Sequence, residues 1–236
     1  MGSWGFSLFP DAAEGGGSFR SAVALRPGGW TGPPSDSRED AAHRARTKVR
    51  RFCAANRLNR LGTLTYAGAG NHDPAKLRED VGRFFRRLRG SVGGPFPYLW
   101  VPEWHPGGHG VHVHFAVGRF IPVADIRETW GAGIVHIKLL SDLPVGSGTI
   151  DEARRAAGYL SKYLGKDLDQ GGQPSGLHRY EVAEGFQPVV RRFKGETWDE
   201  VRDKAAAVMG AEPTKVWDSA DEPAWDRPHA IWAAWS

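Results

Sequence analysis

The sequence predicts an α+β fold built on a central antiparallel β-sheet, one face of it apolar and packed by helices. Three observations lead there. Across residues 110–117, His112 and His114 alternate with Val111, Val113, Phe115 and Val117. Side chains two apart on a strand leave the same face, so this run has an apolar side and an imidazole side. Residues 74–90 instead place Leu77, Val81, Phe84, Phe85 and Leu88 at helical spacing, which predicts an amphipathic helix with one core-facing stripe. Between two strand-like runs, residues 105–110 (His-Pro-Gly-Gly-His-Gly) read as a hairpin loop, which makes the strands on either side antiparallel.

The remaining elements follow in order. Residues 1–36 are rich in Gly, Pro and Ser with isolated aromatics (Trp4, Phe6, Phe9, Trp30), a composition that predicts a loose N-terminal arm. Ser37 with Asp40 three residues on resembles a capping box and opens a helix to about Arg57. A strand is expected over 61–66. Asp73 followed by Pro74 supplies an N-cap and a proline at the first helical position, and Gly90 a stop. Strands over 98–103 and 134–140 flank a short helix over 122–130. A Gly/Ser/Pro loop spans 141–150, and a helix begins at Asp151. Beyond a polar linker at 169–175, a strand is expected at 178–182 and a helix from Thr197, capped with Glu200, to about Met209. The tail carries Trp217, Trp225, Trp232 and Trp235, expected to back a core or a flanking strand rather than to stack on bases. The expected organisation is an arm (1–36), a core domain (37–170) and a C-terminal extension (171–236) packed on that core.

The bulk properties narrow the function classes. At 236 residues the chain can bury one sizeable core. No apolar run reaches the ~18 residues of a membrane span, and no basic stretch followed by an apolar core opens the sequence. One cysteine, Cys53, excludes an internal disulfide. A soluble, cytoplasmic protein with no membrane partner is expected. The net charge of +4 conceals an asymmetry: residues 41–92 hold thirteen Lys/Arg against three Asp/Glu. Basic surface of that density attracts polyanions, nucleic acid foremost.

If the apolar side of 111–117 faces helices, Leu64, Val135, Ile137 and Leu139 should face them too. The opposite side then collects Thr63, Thr65, His112, His114, His136 and Lys138, with Glu103 joining from the neighbouring strand. Two imidazoles and a carboxylate can hold a divalent ion while leaving positions open to substrate oxygens. His105 and His109 are competing ligands, but their Gly-rich loop offers little to fix them, so Glu103 is taken as the third. In the helix after Asp151, Ala153, Ala156, Ala157, Leu160 and Leu164 form an apolar stripe at ~100° per residue. Tyr159 and Tyr163 lie along its edge at i and i+4, close to Lys166, with Lys162 further out. Both hydroxyls therefore emerge on one side of one helix.

Together these stretches resemble the HUH endonuclease superfamily, in particular bacterial rolling-circle replication initiators. The resemblance rests on Thr63-Leu64-Thr65 closing a strand, on His112-Val113-His114, and on a doubled Tyr-x-x-Lys pattern, Tyr159 to Lys162 and Tyr163 to Lys166. It covers roughly residues 60–167, and the doubled pattern is similar to that of the paired-tyrosine initiators of small phages and some plasmids. The resemblance implies a nucleophile-bearing helix laid over the second face of the sheet, Mg²⁺ or Mn²⁺ held by His112, His114 and Glu103, and a covalent 5′-phosphotyrosine intermediate. Tyr163 is the expected first nucleophile and Tyr159 the second, with Lys166 or Lys162 favouring the phenolate or contacting phosphate. The implied partner is single-stranded or hairpin origin DNA, contacted by Thr63, Thr65, His136, Lys138, Arg50 and Arg51. No Gly-x-x-x-x-Gly-Lys-[Ser/Thr] occurs, so a host helicase, like the polymerase, is expected to be separate. Three other readings compete: a transposase or relaxase of the same superfamily, a degenerate DNA-binding regulator, and a small-molecule enzyme using two His and a Glu on a non-haem metal.

Overall fold

The computed structural model describes residues 2–21, 38–138, 149–166 and 178–235, the side chains of 38, 39, 165 and 166 excepted. The chain divides into two compact units, one from the described parts of Met1–Ser37 with Pro188–Ser236, the other from those of Arg38–Gln187. The first unit begins with β1 (Ser3–Phe9) and β2 (Glu14–Arg20). The second holds α1 (Arg38–Ala55), β3 (Arg60–Tyr66), α2 (Pro74–Ser91), β4 (Tyr98–Trp104), β5 (Val111–Val117), α3 (Val123–Trp130), β6 (Gly133–Lys138), α4 (Ile150–Lys166) and β7 (Glu181–Val182). The first resumes with β8 (Arg191–Gly195), α5 (Trp198–Met209), β9 (Lys215–Asp218) and β10 (Ala230–Ala234). The expected α+β class is what the structure shows. Among the described residues, no helix is long and apolar enough to cross a membrane.

The second unit carries a five-stranded antiparallel sheet in the order β6-β3-β5-β4-β7. Alternation sends Leu64, Tyr66, Val111, Val113, Phe115, Val117 and Val135 to one face, where Leu77, Val81, Phe84, Phe85 and Leu88 of α2 and Ile126 and Trp130 of α3 cover them. Ile137 packs at the margin of this core, as expected, while Leu139 lies outside the described residues. Asp73 caps α2 by accepting the Ala75 N–H at 2.8 Å, satisfying one of the amides the first turn leaves open. Pro102 is tolerated inside β4 because β7 pairs only with Leu99 and Trp100, so β4 is an edge at that point.

The other face differs from expectation. One helix was to lie over it, but both α1 and α4 do. Leu61, Leu99, Val101 and Ala116 also alternate onto this face and give it an apolar half. Ala45, Val49, Phe52 and Cys53 of α1 join Ala156, Ala157, Leu160 and Leu164 of α4 to bury it. Helix α1 ends at Ala55 rather than Arg57, because Arg57 turns left-handed (φ 53°) and the Leu58 N–H bonds back to the Cys53 carbonyl at 2.9 Å. Its proposed cap, Ser37, lies outside the described residues, as do 141–148 of the expected 141–150 loop and the linker at 169–175, while α4 already begins at Ile150.

Residues 2–21, read as part of a loose arm, instead form strands of the first unit, while 22–36 of that expected arm lie outside the described residues. β1 and β2 form a hairpin inside a second antiparallel sheet, ordered β8-β1-β2-β10-β9, and so take the second and third places of five. Trp4, Phe6 and Leu8 pack with Val201 and Ala205 of α5 and with Ile231, Ala233 and Trp235. The expected C-terminal extension is likewise divided. Residues 178–187 belong with the second unit, through β7, and 188–236 build this other sheet. Helix α5 starts as expected, with the Thr197 hydroxyl accepting the Glu200 N–H at 3.2 Å. Of the tail tryptophans, Trp217 lies on β9, Trp232 on β10 and Trp235 is buried, whereas Trp225 is exposed and sits edge-on to Trp217 outside any strand.

Candidate active site

The uncovered half of the sheet's second face is polar. Register sets Thr63 opposite both His114 and His136, and Glu103 opposite His112. Directly opposed residues share a face, so the alternation pattern grouped these side chains correctly. His114 is the best fixed of them. Its Nε2 lies 2.7 Å from Glu103 Oε2 and its Nδ1 3.0 Å from Thr63 Oγ1. An ionised carboxylate only accepts, so Nε2 carries a proton, and in the neutral ring Nδ1 accepts from the Thr63 hydroxyl. His114 is 6 % exposed, and its two hydrogen bonds are what make burial of an imidazole tolerable.

Helix α4 brings the tyrosines to this histidine. The Tyr163 ring stacks on the His114 ring, centroids 3.7 Å apart and planes 10° from parallel. Its hydroxyl donates to the Tyr159 oxygen at 2.5 Å. Burial, then the Tyr159 hydrogen bond, then the negative charge of Glu103 all push the Tyr163 phenol well above its ordinary range. Tyr159 stands under two cations, with Lys138 Nζ 4.3 Å and Lys162 Nζ 5.9 Å from its ring centre. A buried contact at the start of α4 fixes the helix's height, for Asn59 Nδ2 donates to Glu152 Oε2 at 2.7 Å. The sequence carries no mark of that contact, since Asn59 sits outside every motif and Glu152 reads as an ordinary first-turn acid.

His112 is arranged differently. Its Nε2 is buried without a hydrogen-bond partner among the described residues. Burial, followed by the electrostatic influence of the neighbouring His105 and His114 rings, lowers its pKa to about 4, so the ring is neutral with a lone pair to offer. Glu103, His112 and His114 thus have the donor chemistry for a divalent ion, and the orphaned nitrogen is the position such an ion would satisfy. Among the described residues no three His, Cys, Asp or Glu side chains are grouped so as to hold a metal ion, and Glu103 and His114 are closed on one another.

The loop histidines are held more firmly than the loop's composition suggests. His109 Nε2 lies 3.1 Å from the Tyr66 carbonyl oxygen, and His105 Nδ1 accepts the Gly107 N–H at 3.1 Å. Two glycines make this possible. A Cβ at Gly70 (φ 80°) would stand 2.0 Å from the His109 carbonyl oxygen, and one at Gly110 (φ 80°) 2.1 Å from that of Asn71. The His105 and His112 rings come to 4.6 Å between centroids. Of the other expected site residues, Thr65 lies on the same face as Thr63 and its carbonyl accepts from Trp130 Nε1. His136 is exposed on β6, and Arg50 and Arg51 lie half-buried on α1, the helix that packs on α4. Lys166 ends α4, its side chain outside the described residues.

Residues 59–168 match the family model of the replication-associated protein ORF2/G2P. That segment runs from the start of β3 to just beyond α4, a little under half of the chain, and contains Thr63, Glu103, both histidines and both tyrosines. Comparisons with curated proteins and with solved structures gave no match. The replication-associated match and the side-chain cluster therefore fall on the same stretch, with the first unit outside it.

Proposed function

We propose that this chain nicks and rejoins single-stranded DNA through a 5′-phosphotyrosine, as an initiator of rolling-circle replication. The observation that carries the proposal is the stacking of Tyr163 on His114 with the Tyr159 hydroxyl in hydrogen-bond contact, directly over the Glu103–His114–Thr63 array. Two phenols at one site match a reaction in which a strand is cut, passed on and sealed. The match to a replication-associated family supports the biological setting.

The chain's own groups divide the work. Tyr163 Oη attacks phosphorus, the P–O3′ bond breaks, and the phenolic proton is relayed through the Tyr159 hydroxyl to solvent water. The departing 3′-oxygen takes a proton from solvent and becomes a primer for a polymerase. Thr63 holds the His114 ring in one orientation, and His114 in turn fixes the plane of Tyr163. Lys138 and Lys162 place positive charge beside Tyr159, where a phosphate oxyanion is accommodated. His112, His114 and Glu103 would hold Mg²⁺ or Mn²⁺, which when bound polarises the scissile phosphate. Loading would break the Glu103–His114 hydrogen bond, and Thr63 tolerates that change because a hydroxyl can donate to Nδ1 as well as accept.

The test is incubation of labelled single-stranded origin DNA with Mn²⁺, reading the covalent adduct on a denaturing gel. The wild type is expected to form it, each of Tyr163→Phe and Tyr159→Phe to form less, and the double variant none. An adduct in the double variant would remove the tyrosines from the mechanism, and none from the wild type would leave a DNA-binding regulator as the better reading.

A further inference from the structure

A cleft of about 660 Å³ lies between α1 and residues 178–182, remote in sequence from the three motifs. Its walls include Arg44 and Lys48 of α1, and His178, Arg179 and Tyr180 of the facing segment. The acid in its lining, Glu181, is already matched: Arg78 donates to its Oε1 from Nε at 3.1 Å and from Nη2 at 2.7 Å, and His178 Nδ1 lies 3.6 Å away. Arg44, Lys48 and Arg179 thus outnumber the one acid in the cleft's lining. Arg179 ties it to the tyrosine helix, its Nη1 donating to the Leu164 carbonyl at 3.4 Å, one residue past Tyr163. Tyr180 packs against the same apolar layer as Tyr159 and Tyr163.

We propose that this cleft is a second DNA subsite, holding the sugar–phosphate backbone of the strand that leads away from the tyrosines. The proposal rests on the nicking reading, because that reading places a single strand at the last turns of α4. Arg44 and Lys48, one helical turn apart, match successive phosphates. Tyr180 offers a ring for a base to stack on without reading its identity. Cations along the path and an aromatic floor are what sequence-tolerant binding of a single strand requires.

The test measures anisotropy of fluorescein-labelled oligothymidine bound to the full chain across a salt series, in wild type, in the Arg44→Ala/Lys48→Ala variant, and in Tyr180→Leu. At ~0.7 per phosphate, the double variant should flatten the slope of log K against log salt by about 1.4, and bind on the order of ten-fold more weakly near ~0.1 M salt. Tyr180→Leu should weaken binding with the slope unchanged. A double variant with the wild-type slope and affinity overturns the subsite. The adduct assay separates the two claims. An adduct with an unchanged slope leaves nicking and removes the cleft, whereas a flattened slope without any adduct keeps the cleft and removes nicking. A wild type that does not bind the strand at all removes both.

Discussion

Thr63 shows how one hydroxyl can govern a site it does not react in. Thr63→Val keeps the shape and removes the partner of His114 Nδ1. A buried polar group left unsatisfied costs about 1–3 kcal/mol, so the urea midpoint should fall by that equivalent, while Thr63→Ser recovers most of it. Adduct formation should fall in parallel, because the His114 ring beneath Tyr163 is then oriented by Glu103 alone of its two hydrogen-bond partners. His112 gives the site a pH dependence of opposite origin. Its folded-state pKa of about 4 lies below the ordinary 6.5, so the folded state binds the proton less well than the unfolded chain. The resulting stability is fully present above 6.5 and drains away as pH falls toward 4. Thermal melts of metal-free protein at successive pH values in that window should show a steeper decline for the wild type than for His112→Asn. Equal slopes would mean that His112 is not held neutral by its surroundings.

Gly62 is the position in β3 where strand pairing and core packing meet. It lies opposite Phe115, and a Cβ there would stand 2.3 Å from Phe115 Cζ. Phe115 cannot retreat, being buried against Phe84 and Phe85. Gly62→Ala should therefore cost about 1–3 kcal/mol, the usual range for overpacking, read as a drop in the denaturation midpoint. The same pair shows what was legible in advance. Period-two alternation marked β3, β5 and β6 and sorted their faces, because one face is continuously apolar and the other is not. Spacing of i and i+4 placed both phenols on one edge of α4. What alternation could not supply was the second apolar patch, Leu61, Leu99, Val101 and Ala116, which brings α1 to the tyrosine side. Nor could it supply the fixed loop histidines, whose restraint depends on Gly70 and Gly110 meeting backbone from distant residues.

At the scale of the whole chain, glycine is where the sequence misleads most. β2 (Glu-Gly-Gly-Gly-Ser-Phe-Arg) has the composition of a linker and none of the alternation of a strand. Its glycines are instead packing residues. A Cβ at Gly15 would lie 2.4 Å from Phe6 Cζ, and one at Gly17 2.4 Å from the Gly5 carbonyl oxygen. The hairpin they permit is central to its sheet, and Trp4, Phe6 and Leu8 belong to a core whose members all come from the first unit. Burying three such side chains contributes on the order of 5–9 kcal/mol, comparable with the ~5–15 kcal/mol that stabilises a whole domain. Deleting residues 2–21 should accordingly unfold the first unit and not merely trim it. Hydrogen exchange should show α5, β9 and β10 losing protection together, with a red shift in tryptophan emission as Trp198 and Trp235 lose their cover. The two cores of the second unit draw no residue from 2–21, so amides of β3, β5 and α2 should keep their protection. Persistent protection across 230–234 in the deletion variant would show that β10 and β9 hold α5 without the hairpin, and would return residues 2–21 to the standing of a loose arm.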